Sequence, residues 1–245
     1  MTYAHRKQIY DADTHMMERP DWIAEFSDST IKPHLEPFVG GKEEILKQID
    51  TAIKSFKERM SNQDISTKAN KNFMSMEHKG WNGLGAFDSK ERKLANDLLG
   101  FDAYILFPTS AFNQVIAAKE QKILMGGIQA LNRGLATFCK EDKRMFPTAY
   151  IPLGLGPDIA KKFVEEAISM DFSVILIDTV APRGQISFTH PDYNQFWSAV
   201  QNADLSVTLH VGADGGYSPV PKSFYDNQKK VPTHVEGDAP NDALA

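Results

Sequence analysis

At 245 residues with 42 % hydrophobic side chains, the chain is long enough to bury a substantial core, which excludes a disordered protein. Its net charge of -5 is mild and its 27 Lys and Arg residues are scattered rather than gathered into a stripe, so a nucleic-acid partner is not expected. The lone Cys139 cannot close an internal disulfide, Met1 to Gln8 lack a signal-peptide core, and no apolar run approaches the roughly 18 residues of a membrane span, so the expected setting is soluble and cytoplasmic.

In chain order, residues 9 to 14 form the first expected strand, and Arg19 to Phe26 read as a short helix with Pro20 in its first turn. Ile45, Leu46, Ile49, Ile53 and Phe56 recur at steps of three and four, which predicts an amphipathic helix over 42 to 60. Residues 61 to 88 hold few apolar positions and read as loop, within an insertion spanning about 27 to 88. There Trp81 reads as packing the loop down, with lining a pocket as the alternative, and its glycine neighbours lack the spacing of a phosphate cradle.

From Ser89 helix and strand alternate. Helices are predicted at 89 to 99, at 113 to 140 with a break near Gly126-Gly127, at 157 to 170 and at 191 to 203. Strands are predicted at 101 to 107, 146 to 153, 172 to 178 and 206 to 211. Phe172 to Asp178 is almost unbrokenly apolar, the mark of a parallel strand covered on both faces. Strands separated by helices predict an α/β protein with a parallel sheet. Residues 213 to 245 show neither period and read as a loop-like tail.

Parallel α/β sheets place their sites at the carboxyl ends of the strands. Asp13 and His15 leave the first strand on one face roughly 7 Å apart, close enough to converge on a cation. A carboxylate oxygen and an imidazole nitrogen suit zinc, with manganese the alternative. His210 closes the fifth strand and is the third candidate ligand; Asp178, at the end of the fourth, and Glu18 are further ligand types nearby. His190 reads as a helix-start residue, and His34, His78 and His234 as solvated rings, while His5 precedes the first strand at its wrong end. Cys139 sits at helical spacing and reads as a buried structural thiol. No G-x-S-x-G, C-x-x-C or H-E-x-x-H pattern is present, which argues against serine hydrolases, structural zinc modules and zincin proteases.

The run Asp13-Thr14-His15-Met16-Met17-Glu18-Arg19-Pro20 resembles the first-strand signature of the amidohydrolase-related family that includes aminocarboxymuconate semialdehyde decarboxylase. The stretches Ala130 to Cys139 leading into Arg144 to Pro147, Ile151 to Leu153, Val174 to Leu176, and His190 to Trp197 leading to Val207 to His210 follow in the family's order. The resemblance covers roughly 9 to 18 and 89 to 216 and implies a metal-dependent (β/α)8 barrel. Asp13 and His15 then stand where the family has its first-strand ligand pair, commonly His-x-His, and His210 is the fifth-strand ligand. Ile177-Asp178-Thr179 lacks the lysine that bridges two metals in binuclear relatives, so one divalent ion is implied. The family also supplies a sixth-strand histidine and an eighth-strand catalytic aspartate, and five strands contain neither. The chain therefore reads as a TIM barrel truncated after about five strands, its catalytic aspartate absent. The implied activity is metal-dependent hydrolysis or non-oxidative decarboxylation of a small organic or aromatic carboxylic acid, with Arg183 as the candidate carboxylate clamp. Two alternatives are a non-catalytic, truncated barrel whose open edges drive self-association, and a flavodoxin-like domain whose strand order reverses at a switch point.

Overall fold

The computed structural model describes residues 2–5, 7–35, 43–75, 78–177 and 188–210. Asp178, Arg183, His234 and the tail from 213 lie outside the described residues. The chain divides into two compact units, 1–147 and 148–245.

In the first unit, β1 (Tyr10–His15) pairs in parallel with β2 (Ala103–Phe107), which pairs in parallel with β3 (Met145–Ile151). The connection from β1 to β2 carries α1 (Trp22–Glu25), α2 (Glu43–Ser61), α3 (Gln63–Lys71) and α4 (Ser89–Leu99). Helix α2 lies where the three-and-four spacing of apolar residues puts it and buries Ile49 and Ala52. Helix α3 corrects the expectation of a continuous loop over 61 to 88. Its start is a capping signal: the Asn62 side chain accepts from the N–H groups of Asp64 and Ile65, and the short apolar face is completed by packing of Ala69 with Leu84 and Ala95. Helix α4 is bounded by local chemistry, with the Asp88 carboxylate capping the N–H of Glu91 and Gly100 ending it at φ 72°, a left-handed turn that suits glycine.

Between β2 and β3 run α5 (Ser110–Ile116) and α6 (Gln121–Cys139). The expected break at Gly126-Gly127 is not there. Both glycines are helical and buried, and a Cβ at Gly126 would sit 2.5 Å from Ile31, so they serve close packing. The interruption falls at Ala117 to Glu120, residues with good helix propensity that nothing local marks as a stop. Met16, Ile23, Leu106, Ile128, Leu131 and Leu135 form this unit's core.

In the second unit β3 pairs in parallel with β4 (Val174–Ile177), and β4 with β5 (Ser206–Leu209), through α7 (Pro157–Ser169) and α8 (Asn194–Asn202). All four residues of β4 are buried, as its unbroken apolar run requires. Helices α7 and α8 pack against each other, Phe163, Val164 and Phe196 are buried, and the buried Tyr193 hydroxyl donates to the Leu153 carbonyl. His190 starts this last helical segment, its Nδ1 accepting from the N–H of Asp192 at 3.3 Å.

The pairings thus keep the strands in chain order, β1-β2-β3-β4-β5, all parallel. A flavodoxin-like domain needs that order to reverse at a switch point, so that alternative is excluded. Sequential parallel strands joined by helices are the pattern of a (β/α) barrel, with five such strands among the described residues.

Candidate metal centre

Strand β1 ends in the pair that carries the chemistry. Its register against β2 shifts between Asp11 and Thr14, and the Asp11 carboxylate accepts from the N–H of Asp13 at 3.0 Å. Such an irregularity beside a site re-aims side chains. Asp13 Oδ1 lies 3.2 Å from His15 Nε2, so the two groups expected to converge on one face do meet.

The other edge of the His15 ring is fixed from the turn that follows β2. Nδ1 lies 3.0 Å from Thr109 Oγ1, and that hydroxyl donates to the Met16 carbonyl at 2.7 Å. A hydroxyl has one hydrogen, so Thr109 must accept from His15, and the proton sits on Nδ1. In the neutral ring Nε2 then presents its lone pair toward Asp13. The ring also stacks on Phe107, with centroids 5.7 Å apart.

Glu18, a ligand type by sequence, has a different task here. Its carboxylate is buried and accepts from the N–H groups of Thr109 and Ser110 at 2.8 Å and Ala111 at 3.4 Å. Burial pushes its pKa above the ordinary carboxylate value, against the lowering effect of those N–H donors. Trp81 donates its indole N–H to the Glu18 carbonyl at 3.3 Å, which pins the 80–86 segment down as its sequence context suggests.

Arg92 escaped the sequence reading because it lies mid-helix with nothing to distinguish it. Its Nη2 donates to the His15 carbonyl and its Nε to the Gly85 carbonyl, both at 2.8 Å. Burial pulls its pKa below the usual arginine value. It borders a cavity of about 370 Å³ whose other walls include Thr14, His15, Phe73, Leu84 and Asn96. His78, read as solvated, lines the same cavity.

In the second unit His210 directly follows β5, whose last residue Leu209 is the register partner of Ile177. The half-buried imidazole is thus at the carboxyl end of the strand, as its sequence position implies. Cys139 is buried at the end of α6, and burial pushes its thiol up to about 12, the property of an inert core cysteine. No helix among the described residues is long and apolar enough to cross a membrane.

The donor set fits a divalent ion: a carboxylate oxygen, and an imidazole whose far nitrogen donates to a fixed acceptor, the support that metal-bound histidines receive.

No protein-family model matches the sequence, and no curated protein matches it. Among solved structures the fold is similar to the crystal structure of an amidohydrolase from Mycobacterium avium subsp. paratuberculosis K-10, at 13 % identity with a TM-score of 0.56. The match covers 92 % of this chain and 66 % of that one, so this chain spans just under two thirds of the length of that protein. At that identity the likeness establishes the fold: an amidohydrolase-like arrangement of parallel strands and helices.

Proposed function

We propose that the chain supplies the first five strands of a metal-dependent hydrolase or non-oxidative decarboxylase acting on a small organic or aromatic carboxylic acid. Asp13, His15 and His210 hold one divalent cation, zinc in preference to manganese. The observation that carries this reading is the pairing at the end of β1, where the Nε2 lone pair of His15 faces the Asp13 Oδ1 at 3.2 Å. Two acceptors that close repel unless a proton or a cation lies between them. His210 enters because barrels of this topology gather ligands at the carboxyl ends of their strands, and it occupies that position on β5.

The bound cation would supply Lewis acidity toward a carboxylate or carbonyl oxygen of the substrate. The chain's own residues set the stage for that chemistry. Thr109 holds the His15 ring in one tautomer, Phe107 fixes its plane, and Arg92 locks the β1 terminus to the 80–86 segment beside the cavity. Arg183, outside the described residues, remains the proposed carboxylate clamp. The proton-moving aspartate that the family resemblance places on an eighth strand has no counterpart on the five strands described.

Metal analysis after zinc loading and dialysis tests the site. Wild type should retain about one equivalent, and Asp13→Ala, His15→Ala and His210→Ala should each retain markedly less. Equal metal content in all four proteins overturns the assignment and leaves the shared proton, and a non-catalytic role, as the account of the pair.

A further inference from the structure

The start of α5 is capped in an unusual way. Thr109 occupies its N-cap position, where a threonine hydroxyl ordinarily accepts from an N–H of the first turn. Here it makes no such bond. The N–H groups at the helix start are taken instead by Glu18, a carboxylate 91 to 93 residues away in sequence. With its own helix capped by another residue, the Thr109 hydroxyl is turned to Met16 and His15.

We propose that Glu18 is a positioning residue for His15: by capping α5 from outside, it keeps the Thr109 hydroxyl off its own helix and on His15 Nδ1, so that the ring presents Nε2 toward Asp13. Burying a carboxylate is costly unless it is fully hydrogen-bonded, and an apolar residue at position 18 would pack without that cost. The three N–H donors offset the burial, and one of them, the N–H of Ala111 in the second helical position, is a donor from which the Thr109 hydroxyl would otherwise accept. Loss of the Glu18 cap leaves these N–H groups unsatisfied. A rotation about the Thr109 Cα–Cβ bond would satisfy one of them and withdraw the hydroxyl from His15. The ring would then be released to exchange its proton between the two nitrogens.

The inference rests on the proposed metal site only for its consequence, since the tautomer exists with or without metal. The test is therefore run first on metal-free protein, by nitrogen-15 NMR of the His15 ring at a pH where it is neutral. Wild type and Thr109→Ser should show the proton on Nδ1. Thr109→Val and Glu18→Gln should both show a mixture shifted toward protonated Nε2. If Glu18→Gln does not fold, Glu18→Asp, which keeps the charge but shortens the reach, should show the same shift. Zinc affinity should fall about 10- to 100-fold in the variants with the shifted tautomer and be retained in Thr109→Ser. A folded Glu18 variant whose His15 signals match wild type while Thr109→Val moves them overturns the proposal. If the tautomer shifts as expected but no protein binds zinc, the positioning role stands and the metal reading falls.

Discussion

At the scale of single residues, the polar groups that matter are those whose partners were chosen by the fold. Asp142 is an example. Burial alone would raise its pKa, but hydrogen bonds from Arg144 and Asn96 outweigh that and hold it at about 2. A carboxyl depressed in the folded state stabilises the protein above its unfolded value near 3.8, and that contribution is lost as pH falls toward about 2. Asp142→Asn should therefore be less stable than wild type at neutral pH and lose less on acidification between those two values. Denaturant melts at several pH values check this, and parallel stability curves for the two proteins would contradict it. Asp13 and His15 were legible in the sequence because both lie on one strand with a period of two. Thr109, 94 residues beyond His15 in a Pro-Thr-Ser turn, was not, because nothing local states which carbonyl and which imidazole its hydroxyl will meet.

At the scale of elements, α2 and α4 are joined by a buried ion pair. Arg59 donates to both carboxylate oxygens of Glu91 at 2.6 and 3.0 Å, and Glu91 also accepts from the N–H of Gly85. Both side chains are about 6 % exposed, so removal of one strands the other in a low-dielectric setting. Arg59→Met or Glu91→Leu alone should cost about 3–5 kcal/mol in urea unfolding, whereas the double variant should recover much of the loss. Strictly additive single effects would show that the pair contributes no coupling. Neither residue stood out by sequence: Arg59 follows Lys57 and Glu58, and nothing local distinguishes it from those charged neighbours. The packed glycines of α6 misled for a related reason. Gly126-Gly127 weakens a helix in isolation, but Ile31, Val115 and Leu35 fill the space beside it.

At the scale of the molecule, the edges of the sheet set what the described strands can recruit. Among the described residues no strand pairs with the outer edge of β1 or of β5. Tyr10 on β1 is 62 % exposed, and Val207 and Leu209 on β5 are 40 % and 38 % exposed. A strand edge that stays unpaired recruits other strands. We propose that the chain self-associates through these edges, and sedimentation velocity should show a species heavier than 27.4 kDa that grows with concentration. A single monomeric species across the range would sink that expectation, as would an unchanged distribution after Val207→Lys.

What the sequence determined by itself was the alternation of strand and helix, the parallel sheet it implies, and an Asp-x-His pair aimed from the first strand. Hydrophobic period and strand pleat are local properties, and a resemblance carried by Asp13 to Pro20 rests on contiguous residues. Tertiary structure decided that α3, capped locally by Asn62, is completed by packing on Leu84 and Ala95, that α6 continues through two glycines, and that Glu18 serves the start of α5. Each of these depends on groups distant in the chain, and the free energy that selects among local options is supplied by those partners, not by the residues themselves.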